Sequence, residues 1–522
     1  GNRPVITRSV EGPIVTTNYA QIRARSLKVA QRLERDGVKL GVRVATLCWI
    51  TWRHLECWYG ILGVGAIYHT VNPRLFPDQI AWIINHAEDR VMMLDLTFVP
   101  LMEKLADRLP SIERYIILTD AAHMPQTTLK NAVAYEEWIA DCDGDFVWKQ
   151  FDENTAAGMC YTSGTTGDPK GVLYSHRSNV LHAFMASLPD SKNLAAADVC
   201  LPVVPFFHAN GWSLAFSTPM VGATLVLPGA KMDGASIYEL LNKYKVTFTA
   251  AVPTVWLMLL QDLEKTGAKL PHLKRVVIGG SACPRAMTKT FEDKYGVEVV
   301  HAWGMTEMSP LGSLCTMKPE YAGLKGEARL DVQAKQGHPP FGVEMKITDD
   351  AGKRLPWDGK TFGRLKVRGP AVTKAYFKNN DNILDNEGFF DTGDVATIDQ
   401  YGYMQITDRA KDVIKSGGEW ISSIDLENLA VGHPKVAEAA VIGVSHPKWD
   451  ERPLLVIVLK KGETATKEDI LGFMQGKIAK WWMPDDVVFV EEIPHTATGK
   501  IQKTTLRKQF QDYVLPTVQA AE

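Results

Sequence analysis

The sequence predicts an α/β protein with largely parallel sheets, followed by a small α+β lid of about 110 residues. Short apolar runs recur along the chain, and helical patterns separate several of them. A glycine-rich loop follows one of these runs, and α/β proteins gather ligands in such loops beyond strand ends. A chain of 522 residues, 45% of them hydrophobic, has enough material for three or four folding units of about 150 residues.

Strands are predicted from the apolar runs, which are short and bounded by turn or helix signals. In the large part these runs are VATLC from 44, VMMLD from 91, YIIL from 115, ATLVL from 223, VTFTAA from 246, RVVIGG from 275 and VEVV from 297. The lid is predicted to hold a helix near 424–431, strands at AAVIGV and LLVIVL, a helix from about 467 and a strand at DVVFV.

Charge and cysteine content exclude several classes of function. With 58 basic and 60 acidic residues, the formal net charge is -2, so the chain lacks the basic excess of a non-specific nucleic-acid binder. The seven cysteines are odd in number and contain no C-x-x-C pair, so neither a disulfide framework nor a zinc site is predicted. Together with an N-terminal stretch that has no apolar signal core, this favours a cytoplasmic protein.

A long stretch from 199 to 230 contains no Asp, Glu, Lys or Arg and is long enough to cross a bilayer. Four prolines and three glycines interrupt it, which leaves pieces too short to span. We therefore expect buried strands and loops here, and no membrane span.

The loop YTSGTTGDPKG, residues 161–171, has the composition of a phosphate cradle, because glycines let backbone N–H groups converge on an anion. It is not a Walker loop, since the required GK[ST] ending is missing. A flexible surface turn is the alternative that composition alone leaves open. A helix with Ser175 as its N-cap is predicted after the loop, in the order strand, loop, helix. Its apolar face would contain Val180, Leu181, Phe184, Met185 and Leu188.

Four further stretches follow this loop in a distinctive order. They are HAWGMTEMSP at 301–310, DTGD at 391–394, DRAKDVIKSGGEWIS at 408–422 and PHTATGK at 494–500. With YTSGTTGDPKGV, they resemble the ordered motifs of the adenylate-forming superfamily, which includes acyl-CoA synthetases, luciferases and peptide-synthetase adenylation domains. The resemblance covers the chain from about 155 to its end. It implies an N-terminal AMP-binding adenylation domain, 1–408, and a small mobile C-terminal lid domain, 409–522.

The resemblance also implies how ATP is bound. The β- and γ-phosphates would be held by Thr162, Ser163, Gly164, Thr165, Thr166, Gly167 and Lys170. The adenine and acyl carbon would be surrounded by Gly280, Ser281, Ala282, His301, Ala302, Trp303 and Gly304, with Met305 and Thr306 beside them. Asp394 would accept the ribose hydroxyls, and Arg409 would reach the ribose and phosphate. Glu307, together with Thr162, would hold Mg²⁺, which prefers hard oxygen ligands.

Two reaction steps are implied in turn. Lys500 would bridge the substrate carboxylate and the α-phosphate during adenylation, when two anions must meet. The lid would then rotate about a hinge at Lys411 and present a CoA channel at Gly417, Gly418, Glu419 and Trp420. Lys415 would contact phosphate or thioester in that state. Trp420 as a core anchor is an equally open alternative.

The acid is expected to be short or medium in length. PVVPFFHANGWSLAF, residues 202–216, resembles the medium-chain branch of bacterial acyl-CoA synthetases, in which the position of His208 lies by the acyl tunnel. Trp212 would narrow that tunnel beside Gly280 and Trp303, although core packing is the alternative for this indole. The substrates implied are ATP, CoA and a carboxylic acid, with 3-methylthiopropionate among the candidates, and a homodimer is also expected.

Two other classes of function compete with this one. The first is a domain that loads a free carrier protein, and the second is a non-catalytic nucleotide-binding regulator. The second would be expected to have damaged motifs, whereas Lys170, Glu307, Asp394, Arg409 and Lys500 are all present.

Overall fold

The structure, a computed structural model, describes residues 1–162, 168–417, 419–495 and 501–519, except for the side chains of 419, 420 and 519. The strands are β1 (Pro4–Arg8), β2 (Ile14–Asn18), β3 (Arg43–Leu47), β4 (Ile67–Thr70), β5 (Val91–Leu94), β6 (Arg114–Ile117), β7 (Ala132–Ala134), β8 (Ala156–Tyr161), β9 (Gly171–Ser175), β10 (Val199–Pro202), β11 (Thr224–Leu227), β12 (Phe248–Ala251), β13 (Arg275–Ile278), β14 (Glu298–Gly304), β15 (Leu311–Leu314), β16 (Glu344–Thr348), β17 (Gly363–Arg368), β18 (Phe390–Ile398), β19 (Met404–Arg409), β20 (Ile414–Ser416), β21 (Glu419–Ile421), β22 (Val436–His446), β23 (Asp450–Leu459) and β24 (Asp486–Phe489).

The α-helices are α1 (Tyr19–Arg35), α2 (Trp52–Val64), α3 (Pro77–Ala87), α4 (Val99–Leu105), α5 (Tyr135–Trp138), α6 (His176–Ser187), α7 (Leu214–Val221), α8 (Gly234–Lys243), α9 (Pro253–Thr266), α10 (Arg285–Lys289), α11 (Gly326–Gln333), α12 (Ser423–Val431), α13 (Lys467–Met474), α14 (Lys503–Gln509) and α15 (Pro516–Gln519).

The chain divides into two compact units, residues 1–344 with 368–390, and residues 345–367 with 391–522. The first unit holds two large sheets. One has eight strands in the order β15-β14-β13-β12-β10-β11-β1-β2, and the other has seven in the order β7-β6-β5-β3-β4-β8-β9. The strands from β14 through β12, β10 and β11 to β1 are parallel, as are those from β7 to β8. Parallel sheets are normally covered on both faces, which explains why these strands read as continuous apolar runs.

The core of the first unit is built around α2, which is buried on nearly all sides. Trp58 on this helix contacts the aromatic rings of Tyr68, Phe206 and Phe216, which come from β4, the segment after β10, and α7. These contacts tie elements of both sheets into one apolar cluster. Large aromatic side chains bury much area and therefore anchor such a core.

The predicted fold class is confirmed: all seven apolar runs of the large part form strands, and the expected lid elements are α12, β22, β23, α13 and β24. The stretch 199–230 contains β10, α7 and β11, and no helix of the described residues is long and apolar enough to cross a membrane. All seven cysteines are free and buried.

The structure corrects two details of the sequence interpretation. The glycine-rich loop joins the antiparallel strands β8 and β9, so the order is strand, loop, strand, helix. Ser175 does cap α6, because its side chain accepts the amide hydrogen of Ser178. The predicted apolar face of α6 is wrong in part: Met185 is buried as expected, but Val180, Phe184 and Leu188 are exposed, and His182 and Ala183 are buried instead.

The second unit contains a four-stranded sheet in the order β16-β17-β18-β19 and a five-stranded sheet in which β21, β20, β23 and β22 are adjacent and β24 pairs with β23. The core of the five-stranded part combines residues of β22 and β23 with α12 and α13. The predicted domain boundary at 408/409 falls within this second unit, and it stays a prediction.

Candidate active site

Four parallel strands of the eight-stranded sheet have their carboxyl ends along the same edge of the sheet. Most residues of the first unit that are predicted to contact the nucleotide or the carboxylic acid substrate follow these strands. β10 leads to 208–212, β12 to Val252, and β13 to 279–282, while β14 itself carries 301–304. Because the carboxyl ends of parallel strands share an edge, motifs that are far apart in the sequence lie close together here. This is the edge at which open α/β sheets bind ligands.

The base of the glycine-rich loop is closed by its two ends. The amide of Thr162 donates to the carbonyl of Lys170 at 2.9 Å, and the amide of Lys170 donates to Oγ1 of Thr162 at 3.1 Å. Thr162 and Lys170 are therefore adjacent. The other predicted phosphate-binding residues lie outside the described residues: Ser163, Gly164, Thr165, Thr166 and Gly167.

A tyrosine connects the candidate phosphate lysine with the candidate magnesium ligand. Nζ of Lys170 lies 4.9 Å from the centre of the Tyr376 ring, and the hydroxyl of Tyr376 donates to Oε1 of Glu307 at 2.7 Å. Burial, and then the charge of Glu307, raise the pKa of Tyr376, so this phenol stays protonated and remains a donor. Tyr376 could not be predicted from the sequence, because a single tyrosine in KAYFKN belongs to none of the five motifs.

Glu307 is held in place from several directions. It lies in the 3₁₀ turn Thr306–Met308, just after β14, and its residue is 7% exposed. Tyr174 donates its hydroxyl to the carbonyl of Thr306 at 2.6 Å, and the amide of Thr373 donates to the carbonyl of Glu307 at 2.8 Å. These bonds fix the backbone that presents the carboxylate.

The donor atoms of Glu307 and Thr162 fit a magnesium ion. A carboxylate and a hydroxyl supply hard oxygen, and Mg²⁺ commonly takes one or two protein oxygens with the rest of its shell from phosphate and water. Among the described residues there is no cluster of three or more His, Cys, Asp or Glu that could hold a metal by itself.

Trp212 lies against the glycines that follow β13. A Cβ on Gly279 would be 3.1 Å from Cη2 of the indole, and one on Gly280 would be 3.9 Å from Cζ2. Gly280 has a φ of +85°, a conformation that favours glycine. Trp212 is 7% exposed, so the indole both belongs to the core and borders the candidate nucleotide and acid site at 280–282.

Trp212 lies in a turn whose backbone has the left-handed conformation. Residues 209–213 all have positive φ, from +34° at Ala209 to +66° at Ser213, and only Gly211 among them is glycine. Each L-residue in this region costs about 1–2 kcal/mol. Asn210 anchors the turn by donating from Nδ2 to Oγ1 of Thr70 at 2.9 Å. His208 is half-buried just before the turn, and its carbonyl accepts the amide hydrogen of Gly211.

His301 is buried beneath the loop that follows β13. Its Nε2 accepts the amide hydrogen of Cys283 at 3.3 Å, which fixes the backbone next to Ser281 and Ala282. Burial lowers the pKa of His301 to about 4, so the ring is neutral at physiological pH.

Trp303 pairs with Ser313 on β15, next to a strand irregularity at Gly304. A Cβ on Gly312 would lie 2.4 Å from the Trp303 ring, so the indole packs directly against that glycine.

Asp394 and Arg409 face each other in the second unit. They are paired residues of β18 and β19, and Nε of Arg409 lies 3.0 Å from Oδ1 of the buried Asp394. Nη1 of Arg409 also donates to the carbonyl of Thr392 at 3.4 Å. The structure thus brings together the two residues that the motifs assign to the ribose.

The candidate CoA loop is a hairpin turn between β20 and β21. Lys415 is exposed on β20, and Gly417 has a φ of +59°. The ring of Trp449 covers Gly417, since a Cβ there would lie 2.8 Å from Cε3, and the Gly417 amide donates to the Trp449 carbonyl at 2.9 Å. Trp449 could not be predicted from the sequence, because it belongs to none of the motifs and lies 32 residues after Gly417. Gly418, the side chains of Glu419 and Trp420, and Lys500 lie outside the described residues.

The segment with the predicted hinge contains Lys411, which is exposed. Its neighbours are bonded within the second unit. Oδ2 of Asp408 accepts the amide hydrogen of Ser423 at 2.8 Å, and Asp412 forms an ion pair with Arg507 at 2.7 Å. The structure describes these bonds for one arrangement of the segment, and a hinge at Lys411 remains a prediction.

Two family models match the chain. The model described as AMP-binding enzyme matches residues 1–377, and the model described as AMP-binding enzyme C-terminal domain matches residues 425–500.

Relatives of known activity align over nearly the whole length. A 3-methylmercaptopropionyl-CoA ligase of Ruegeria pomeroyi is 49% identical over 512 residues, which cover 98% of this chain and 95% of the relative. A medium-chain-fatty-acid–CoA ligase of Ectopseudomonas oleovorans is 45% identical, with 99% and 94% covered. Among solved structures, the anthranilate CoA ligase AuaEII in complex with anthranoyl-AMP superposes with a TM-score of 0.85 at 26% identity, covering 98% of this chain and 94% of that one.

Proposed function

Because this chain belongs to the AMP-binding enzyme family, we propose that it is a ligase for short- or medium-chain carboxylic acids, with 3-methylthiopropionate as the leading candidate. The general activity follows from the family and from relatives at 45–49% identity: the enzyme is an ATP-dependent, AMP-forming acyl-CoA ligase. This outcome confirms the activity expected from the motifs. The identity of the acid and the role of each residue are what we propose.

In the first step, a carboxylate oxygen attacks the α-phosphorus of ATP. The bond between the α- and β-phosphates breaks, pyrophosphate leaves, and an acyl-adenylate forms. Catalysis of such a transfer rests on positioning and on charge stabilisation. Lys170 and Thr162, with the loop they close, would hold the departing phosphates, and Lys500 would neutralise the meeting anions. Asp394 and Arg409 would fix the ribose, supported by their contact across β18 and β19.

A magnesium ion would supply positive charge to the phosphates during this step. Glu307 and Thr162 would hold it, and the hydroxyl of Tyr376 would orient the carboxylate. The chemical type of these donors supports this assignment.

In the second step, the thiol sulfur of CoA attacks the acyl carbon, the bond to AMP breaks, and the thiol proton is released to solvent. The lid, hinged at Lys411, would bring Gly417, Gly418, Glu419 and Trp420 to the pantetheine arm and Lys415 to the thioester. Trp449 lies over Gly417, and this position supports the proposal that its indole lines one side of the channel for the pantetheine arm. His208, beside the turn that carries Trp212, would contact the acyl group.

The packing of Trp212 against Gly279 and Gly280 is the observation that carries the proposed acid size. A broad, buried indole at this point leaves little length for an acyl chain, so a short or slender acid fits better than a long fatty acid. The thioether of 3-methylthiopropionate is slender and apolar, and its sulfur would make a favourable contact with an aromatic ring such as this indole.

A panel of acids tests this proposal. Acetate, butyrate, 3-methylthiopropionate, octanoate and dodecanoate would be compared by kcat/KM for AMP release that depends on CoA. We expect the highest kcat/KM for one of the acids up to the length of octanoate. A maximum at dodecanoate would refute the size assignment, and AMP release that requires a carrier protein instead of CoA would favour the competing adenylation enzyme.

Three further expectations from the sequence belong to the proposal. We propose that the adenylation domain, 1–408, and the lid, 409–522, are the units that move. We also propose that the protein forms a homodimer and that it is located in the cytoplasm. Light scattering of the purified chain tests the homodimer, since a monomeric mass at micromolar concentration would contradict it. Cell fractionation measures the location.

A further inference from the structure

A lysine lies buried beneath the turn that carries Trp212. Lys192 belongs to the segment between α6 and β10, and it is 2% exposed. Its Nζ donates to the main-chain carbonyl of Trp212 at 2.5 Å. Its own amide donates to the carbonyl of Ala186, near the end of α6, so the lysine backbone is fixed as well.

This buried ammonium has no acidic partner within the described parts of the chain. Burial lowers its pKa to about 8, with Cys200 as the nearby group that opposes this shift. A buried charge without an opposite charge is unfavourable, and burial of a lysine of this kind is rare. Its Nζ donates instead to the main-chain carbonyl of Trp212, which is the polar contact that offsets part of the cost of burial.

The turn needs such a contact more than an ordinary loop does. Its residues from Ala209 to Ser213 hold a conformation that L-residues avoid, and they would relax if unsupported. Asn210 is anchored to Thr70, and the carbonyl of Ser213 accepts from Oγ of Ser217 at 3.0 Å. Between these two residues, the carbonyl oxygen of Trp212 accepts the hydrogen bond from Lys192.

We propose that Lys192 is a positioning residue that fixes the indole of Trp212 against Gly279 and Gly280 and thereby sets the size of acid that the enzyme accepts. Lys192 touches no substrate in this account. It acts through the main chain, since its bond to the carbonyl determines the direction in which the Trp212 side chain leaves the turn. The effect on acid size rests on the proposed function, whereas the effect on the indole does not.

The first test observes the indole directly. The protein is labelled with 5-fluorotryptophan, and the ¹⁹F resonance of Trp212 is identified among the 14 tryptophans by its loss in Trp212→Phe. In Lys192→Met, which keeps the length of the side chain and removes the donor, this resonance should shift or broaden while the others stay. Lys192→Gln restores a donor and should return the resonance part of the way towards its original position.

Controls separate this effect from general instability. Lys346→Met removes a different buried lysine, which is 3% exposed and lies on β16, and should leave the Trp212 resonance unchanged. Lys192→Ala, which leaves space for water at the carbonyl, is the second removal variant if the methionine variant does not fold. An unchanged Trp212 resonance in a folded removal variant would overturn the proposal.

The second test observes acid selectivity. The ratio of kcat/KM for octanoate to that for butyrate should rise in Lys192→Met by about threefold to tenfold, in the same direction as in Trp212→Ala. The double variant should match Trp212→Ala alone, because Lys192 acts through that indole. Independent, multiplying effects would contradict the proposal. If the resonance moves but Trp212→Ala leaves selectivity unchanged, the positioning role stands and the proposed acid pocket fails.

Discussion

The hydroxyl of Tyr376 donates a hydrogen bond of 2.7 Å to the carboxylate of Glu307, and the ring of the same tyrosine lies 4.9 Å from the ammonium of Lys170. One side chain thus links the candidate metal ligand with the candidate phosphate lysine. The three residues come from separate segments of the first unit, and this contact supports assigning them to a single phosphate and magnesium site.

Glu307→Gln should raise the magnesium concentration needed for half-maximal pyrophosphate release, because an amide keeps the shape but loses the charge that a hard cation prefers. The apparent KM for the acid should change much less. Tyr376→Phe should move the magnesium requirement in the same direction, by about tenfold, as the loss of an orienting hydrogen bond to a metal ligand does. A magnesium titration of both variants that coincides with that of the parent would remove Glu307 from the metal site.

Asp394→Asn should raise the apparent KM for ATP by about tenfold, because the ribose hydroxyls lose a charged acceptor. The measurement is the initial rate of pyrophosphate release at varied ATP, with the acid saturating. With 2′,3′-dideoxy-ATP, which has no ribose hydroxyls, parent and variant should differ by less than about twofold. An equal penalty for both nucleotides would show that Asp394 acts on the fold and not on the ribose.

Trp212→Ala should increase the kcat/KM for octanoate relative to butyrate by about tenfold, because removing the indole lengthens the pocket, and each extra methylene is worth a measurable gain in an apolar site. Trp212→Phe, which removes part of the ring system, should fall between parent and alanine variant. If the ratio is the same in all three proteins, Trp212 only packs the core.

Asp425, near the start of α12, gives a prediction for stability against pH. Burial raises its pKa from 3.8 to about 6, so ionising it disfavours the folded state. The penalty is absent below pH 4, grows as the pH rises through 6, and is complete above it. Asp425→Asn should therefore raise the free energy of unfolding by about 1–3 kcal/mol at pH 8 and by almost nothing at pH 4. Denaturant unfolding at the two pH values measures this, and equal effects at both would contradict it.

Much of the fold was predictable from the sequence, because parallel strands buried on both faces produce apolar runs that stand out from their surroundings. The runs at 91–94 and 275–278 are examples. Capping is equally local, as Ser175 shows. The face of α6 was not predictable in the same way: Val180 and Phe184 fit an apolar helical stripe, but tertiary packing buries His182 and Ala183 instead.

The candidate site likewise contains residues that sequence motifs identify and residues that only tertiary contacts place there. Motif residues such as Asp394 and Arg409 could be identified in the sequence, and their pairing across two strands agrees with a shared role. Tyr376, Trp449 and Lys192 could not, because each gains its position only from contacts with distant segments. The left-handed turn at 209–213 was also hidden, since HANGWS contains a single glycine and gives no sign of five consecutive residues with positive φ.

The central claim is that one site is assembled twice, once for adenylation with Lys500 and once for thioester formation with the loop at Gly418. Measuring both half-reactions on Lys500→Ala and Gly418→Ile tests it most directly: pyrophosphate release without CoA, and thioester formation from a synthetic acyl-adenylate. Lys500→Ala should lose about 10² to 10³ in the first rate and keep the second, because it removes a cation from the adenylation transition state alone. Gly418→Ile should keep the first rate and lose the second, because its side chain would obstruct the pantetheine path. Equal losses of both half-reactions in both variants would contradict the claim.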